Sequence, residues 1–417
     1  MDPVESAVGR INDVTLRKHR LILVALAGLP LACTPAAPGP NAPDDGDGDP
    51  VIVDEDVIVV APGSGFDDAP RVQFDAARRM VIDNTLHNPD EVHVYDLGEL
   101  SMGDIVEVIA IDKDAVGLDP MIALFDADGL RIFWNDDVNP QTGNFNAFFM
   151  GSIRHDSPAH YLAISASNYS QTTGAYRITV ELTPERALAP IKGQTVVLQW
   201  TGAQNVSISG VSYGDLTPVD AGDINGTFGS RTTEFQENVL NIVRKDFAPY
   251  DITIVSSEDP EPTGNSTQIF FGGEAPGEFV SAKIFGSSDG IDFYNASDQD
   301  NAIVFLGVFS ELSSNFDAVV QAVANVTSHE IGHTLGLMHT VDATSLMDTT
   351  GADVTLLEDQ GFSTARLFDF PIGLQNSDQL LVETVGRAPA VAAGASPQAT
   401  TLHCGTCGAA LVKVRIR

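Results

Sequence analysis

Residues 329–339 read His-Glu-Ile-Gly-His-Thr-Leu-Gly-Leu-Met-His, and the types and spacing in this run suit a metal-assisted hydrolysis. His329 and His333 are four positions apart, so on a helix they share one face and can grip a single small cation. Glu330 adjoins the first histidine, where its carboxylate can reach a water on that cation without being a ligand. Gly336 follows, and a glycine there can take a left-handed conformation, end the helix and turn the chain. His339 then supplies a third nitrogen from outside the helix. Three neutral nitrogens leave a fourth tetrahedral position for water, the arrangement of a catalytic zinc rather than a structural one. The competing reading is an amphipathic core helix that happens to carry histidines, which leaves three polar rings without partners near a buried face.

Such a site needs a rigid platform. Residues 317–334 read as the helix that carries it, with Val319, Val320, Val323, Val326 and Ile331 for its buried side. Ahead of it, 194–200, 251–255, 267–271 and 302–306 read as strands, the last closing the set. A helix capped by Thr232 or Thr233 carries Phe235, Val239, Leu240, Ile242 and Val243 at helical spacing. The glycine-rich run 272–290 holds a short strand at 279–285, and 376–385 form a final helix. The span 194–386 is therefore expected to be an α+β catalytic domain.

The motif resembles the metzincin signature His-Glu-x-x-His-x-x-Gly-x-x-His with its Met-turn, and is most similar to the matrixin-like branch, whose run is His-Glu-x-Gly-His-x-Leu-Gly-Leu-x-His. The resemblance implies a zincin fold, one zinc on His329, His333 and His339, Glu330 as general base, and protein or peptide substrates. It also implies an apolar methionine floor under the metal. Met347, in Ser345-Leu346-Met347-Asp348, is the candidate; Met338 lies inside the motif at a position the family leaves free. In the family an edge strand lines the cleft and binds substrate by strand addition, the role expected of 279–285. Thr349 stands where some branches carry an extra tyrosine ligand, and Thr340 where others carry a marker residue.

Residues 66–184 have another character. Short β-type runs at 92–97, 105–110, 121–125, 130–134, 161–164 and 175–180 alternate with turn signals, the pattern of an antiparallel β-sandwich. The order resembles the bacterial pre-peptidase C-terminal domain, on Tyr95 to Leu97, Asp119 to Gly129 and Gly174 to Tyr176. Asp119, Asp126, Asp128, Asp136 and Asp137 cluster at its loops. They read either as a calcium site or as ordinary Asx-turn chemistry. His155 and His160 have no partner at ligand spacing and read as surface or core histidines.

The ends carry address rather than chemistry. Residues 1–33 read as an export signal: Lys18, His19 and Arg20 precede an apolar run from 21 to 32 that is too short to span a bilayer. Translation is expected to start nearer Val14. The close, Leu29-Pro30-Leu31-Ala32-Cys33, resembles a bacterial lipoprotein signal, with Pro30 where the pattern has an aliphatic residue. It implies a lipid on Cys33 and an extracytoplasmic place, in the cell envelope or secreted. Residues 34–65 read as a flexible acidic tether, and 387–417 as a linker and tail containing Cys404 and Cys407. In an exported chain those two are expected to form a local disulfide. The net charge of −35, from 22 basic and 57 acidic residues, argues against nucleic acid or an anionic membrane surface as partner. The function expected is an exported zinc endopeptidase. The alternatives are a surface-anchored binding protein that holds metal without turnover, and a chain whose sandwich is the functional module. The sequence sets no oligomeric state.

Overall fold

In the computed structural model, residues 57–58, 60–139, 142–168, 170–184, 187–188, 190–274 and 284–389 are described. Cys33, Cys404 and Cys407 lie outside them. Two β-sheets stack in the first half. One runs in the order β1 (Val57–Ile58), β2 (Arg79–Leu86), β9 (Gly174–Thr183), β4 (Ile105–Asp112), β7 (Ala147–Ser152). The other runs β3 (Val92–Asp96), β8 (His160–Ala166), β5 (Pro120–Asp126), β6 (Arg131–Asn135). Strand β4 alternates in the ordinary way, with Val106, Val108 and Ala110 inward and Glu107 and Ile109 not fully covered. Strand β5 does not alternate; all its residues are buried. Ile122 and Leu124 face the sandwich core, whereas Met121, Ala123 and Phe125 belong to a separate cluster with Met338, Leu367 and Phe370. An apolar run without alternation marks a strand covered on both faces, and here the second cover is the C-terminal half of the chain.

Sequence reading passes over β2 and β7, and places β1 in the tether. Strand β2 carries Asp83 and Asn84, residues typical of turns, in its middle. The sheet satisfies Asp83 through Arg177 (2.7 Å) and Lys113 (2.6 Å), which no local pattern reveals. Strand β7 has a glycine, Gly151, one residue before its end, and the missing side chain leaves room for the Phe133 ring. The expected tether 34–65 is also too long. Val57 and Ile58 pair with Val81 and Ile82, and Gly63 exchanges backbone hydrogen bonds with Val94 at 3.1 and 3.0 Å. The β-branched residues that end that segment have a sheet edge to join.

The C-terminal half is built on the sheet β13 (Ile252–Ser256), β10 (Gln194–Gln199), β14 (Thr267–Phe271), β16 (Asn301–Val304), β15 (Gly286–Ser288), parallel except for β15. Helices α2 (Thr232–Asp246) and α3 (Phe316–Thr334) share one apolar cluster with that sheet, closed by Leu380, Leu381 and Val385 of α4 (Ser377–Val385). The short helix α1 (Ala221–Ile224) precedes α2. Thr232 does not cap α2: it is the first helical residue, and its hydroxyl donates to Asp220, the cap of α1, at 3.0 Å. Strand β16 is not the border of the sheet, since β15 pairs beyond it. Of the strand expected at 279–285, residues 279–283 are outside the described set, and the described edge strand begins at Gly286. A hairpin of β11 (Ala203–Ile208) and β12 (Val211–Leu216) turns on Ser209 and Gly210, both at positive φ, and packs Tyr213 on Phe305. Strands β17 (Thr340–Val341), β18 (Thr364–Leu367) and β19 (Leu374–Asn376) form a small sheet after α3.

The halves meet through polar as well as apolar contacts. Arg131, 2 % exposed, donates to the Gly336 carbonyl and to Gln375 Oε1, both at 2.8 Å. His155 bridges Asp126 of β5 at 3.3 Å and Glu383 of α4 at 2.9 Å. The two Arg131 contacts and the His155–Glu383 contact join positions more than 200 residues apart.

Candidate metal centre

Helix α3 starts on Asn315, whose side chain accepts from the Ala318 amide at 3.1 Å, with Asp317 in its first turn. It ends in a paired cap. The Leu337 amide bonds the Gly332 carbonyl at 2.9 Å, and the Gly336 amide bonds the His333 carbonyl at 3.0 Å. Gly336 sits at φ +89°, and a Cβ there would come within 3.0 Å of the Asp292 carbonyl. This turn swings His339 back over the helix face that holds His329 and His333.

The three rings gather with ligand atoms within 4.8 Å of one another, and the Nε2 atoms of His329 and His333 are 3.0 Å apart. Their other nitrogens decide the tautomers. Nδ1 of His329 faces the Leu346 carbonyl at 2.6 Å and Nδ1 of His333 the Leu337 carbonyl at 2.7 Å. A carbonyl only accepts, so both Nδ1 atoms carry the hydrogen. Nδ1 of His339 likewise donates to Asp369 at 3.1 Å. Each ring is thereby left with a bare Nε2 lone pair. Lone pairs set this close repel unless a cation lies between them, and the 3.0 Å separation is near that of two nitrogens at about 2.0–2.1 Å from one zinc. Burial, then the charge on His339, lowers the His329 pKa to about 4, and burial with both neighbours lowers that of His333 well below its ordinary value. Burial opposes charge on His339 too, but Asp369 outweighs it and raises that pKa. The residues present fit a zinc ion.

Glu330, 5 % exposed, lies beside the triad in a cleft of about 290 Å³ lined by Phe285, Gly286, Ser287, Leu346 and Asp348 among others. Burial alone pushes its carboxyl up to about 8. A Cβ on Gly286 would stand 2.4 Å from Glu330 Oε1, so any side chain there would displace the carboxylate from its present position. Met347 is fully buried beneath α3; a Cβ on Gly332 would meet its sulfur at 2.6 Å. Met338 points elsewhere, into the cluster shared with the sandwich. Asp348 lines the cleft, but its carboxylate caps its own turn, accepting from Asp342, Thr350 and Gly351 at 3.0, 2.8 and 2.6 Å. Thr349 bonds the Thr340 carbonyl through its backbone.

The sequence pattern does not reveal Asp369, Gly286, or the Leu337 and Leu346 carbonyls. A carboxylate thirty positions beyond its histidine, and backbone groups of any residue type, leave no local signature. The clustered acids divide. Asp126 accepts from the Asp128 and Leu130 amides, both at 2.9 Å, and is turn chemistry. Asp119, Asp136 and Asp137 lie apart from it. His160 is a core histidine, bonded to Leu100 and Gly98.

A family model described as Met-zincin matches residues 314–365, the stretch holding α3, the three histidines and Met347. No curated protein sequence matches the chain. Among solved structures, archaemetzincin from Methanopyrus kandleri is 12% identical at a TM-score of 0.24, over 46% of this chain and 95% of its own. The pre-peptidase C-terminal domain of a Bacillus anthracis collagenase is 13% identical at 0.21, over 27% and 94%. The PliG lysozyme inhibitor of Aeromonas hydrophila is 14% identical at 0.22, over 28% and 96%. Scores this low carry no argument about fold or function.

Proposed function

We propose that this chain is a zinc-dependent endopeptidase. The observation that carries the reading is the set of three bare Nε2 lone pairs, each fixed by a hydrogen-bonded Nδ1, beside a buried carboxylate in an open cleft. His329, His333 and His339 would hold zinc, which when bound acidifies water and polarises a carbonyl. Glu330 takes the proton of the attacking water and returns it to the leaving amine. The match of residues 314–365 to the Met-zincin model supports the same assignment. Strand β15 lies at the sheet border, and its residues line the cleft. We assign it the substrate strand, which takes up an extended peptide by backbone pairing. Such binding suits protein substrates and leaves side-chain preference to the cleft walls. Met347 is the floor of the site in this reading. The run ending in Cys33 supports export and a lipid anchor, and Cys404 with Cys407 would close a disulfide outside the cytoplasm.

The test is Glu330→Gln. The variant should retain zinc by elemental analysis and lose activity on casein by a factor on the order of 10² to 10⁴. Parent activity should vanish with chelator and return with zinc. A variant as active as the parent would overturn the mechanism, and a parent that binds zinc without chelator-sensitive cleavage would be a metal-holding scaffold.

A further inference from the structure

Neither turn chemistry nor the zinc centre accounts for the acids at one end of the β5–β6 pair. The pairing of Ile122 with Asn135 and Ala123 with Trp134 sets Asp119, just before β5, beside Asp136 and Asp137, just after β6. Asp119 is two positions before Met121, and Asp136 two after Trp134. Met121 and Trp134 face the C-terminal half in one cluster with Phe370. Strand alternation therefore directs Asp119 and Asp136 to that same face, where Asp369 adjoins Phe370. Asp136 is 2 % and Asp119 7 % exposed, yet Asp119 Oδ1, Asp136 Oδ1 and Asp137 Oδ1 are buried without a hydrogen-bond partner. Burial raises Asp119 to about 6 against a hydrogen bond with Ser170; burial and then the charge of Asp119 raise Asp137 to about 7; and burial, then the charges of Asp137, Asp119 and Asp369, raise Asp136 well above its ordinary value. A carboxylate as buried as that of Asp136, with an oxygen left unpartnered, costs several kcal/mol, on the order given by ion desolvation, unless a positive charge sits beside it.

We propose that Asp119, Asp136 and Asp137 form a calcium site, bordered by Asp369, at the junction of the sandwich with the C-terminal half. The donors are hard oxygens with no nitrogen or sulfur, which favours calcium over zinc. Among the described residues only the three histidines gather to within 4.8 Å. The carboxylates are not gathered to that spacing, and oxygens on one calcium at about 2.3–2.6 Å stand no more than about 5 Å apart, so binding would draw the side chains together, with backbone carbonyls and water completing a shell of about six to eight oxygens. Asp369 also receives the Nδ1 hydrogen of His339. The ion would thus stiffen the face on which the third zinc ligand rests. The proposal does not depend on peptidase turnover.

The zinc-loaded full chain, freed of calcium with EGTA, would be titrated with calcium chloride by calorimetry and thermal scanning. One tight site is expected, with a Tm rise on the order of 5 °C at a hundredfold excess over Kd and a much smaller rise with magnesium chloride. The double variant Asp119→Asn, Asp136→Asn should lose this binding and keep its zinc. No calcium-dependent heat or Tm shift in the parent would overturn the proposal, as would unchanged binding in the double variant. Terbium chloride gives a second readout should that variant fail to fold. Trp134 stands beside the site, so bound terbium should emit on tryptophan excitation and be displaced by calcium. Trp134→Phe should abolish the emission and leave calorimetric binding in place; persistent emission would put the ion elsewhere and overturn the assignment.

Discussion

A histidine is a ligand only if its tautomer is right, and here three acceptors set it. The Leu337 and Leu346 carbonyls and Asp369 each hold an Nδ1 hydrogen, which frees Nε2 for a metal. Two glycines matter for what they omit. Gly332 lets Met347 approach the helix between the first two histidines, and Gly286 gives the Glu330 carboxylate its space. Gly286→Ala would drive a methyl into Glu330 Oε1. The expected outcome is unchanged zinc content, with kcat lowered on the order of a hundredfold because the base is displaced by about an ångström. Steady-state kinetics with metal analysis checks it. Loss of zinc in parallel would mean that the substitution disturbs the triad instead.

At the scale of elements, the helix terminus is as necessary as the helix. The cap made by Gly332, His333, Gly336 and Leu337 sends the chain back so that His339 meets the ligands already on α3. Gly336→Ala forces an alanine into a left-handed conformation, at a cost of about 1–2 kcal/mol. It also sets the new methyl 3.0 Å from the Asp292 carbonyl. Denaturant titration should show at least that loss, and zinc affinity should fall with it, because the cap and the third ligand move together. The sandwich strands fix their own ends by pairing rather than by composition, as β2 shows by tolerating Asp83 and Asn84 in mid-strand.

At the scale of the whole molecule, the sandwich braces the turn that brings in the third histidine. Arg131 reaches from β6 to the carbonyl of Gly336, and Gln375, which Arg131 also contacts, bonds the Met338 amide and carbonyl at 2.8 and 2.9 Å. Residues 190–389 made alone would expose Met338, Leu367 and Phe370 and strip the Gly336 carbonyl and Gln375 Oε1 of their Arg131 donor. They should aggregate, or melt well below the full chain, in a light-scattering and thermal assay. A second prediction concerns pH. Hydrogen bonds from His155 to Asp126 and then Glu383 raise its pKa from 6.5 to about 10. The charged ring thus stabilises fully below about pH 6.5, and its contribution decays as pH rises through 10. Between pH 7 and 10 the Tm of the parent should fall more steeply than that of His155→Gln. At pH 6.5 the variant should be less stable by about 2 kcal/mol.

The amino-acid sequence by itself determined the chemistry: two histidines at helical spacing, a glutamate beside them, a glycine stop and a third histidine can be read without coordinates because a helix and its cap are local structures. It likewise determined most of the strands, through alternation and turn residues. Only the tertiary structure decided which groups hold the ligands and which face of β5 is covered. Asp369, Gly286 and Arg131 act on the motif from far along the chain. Their roles depend on which surfaces meet, and the pairing of distant surfaces follows from total burial rather than from any short pattern.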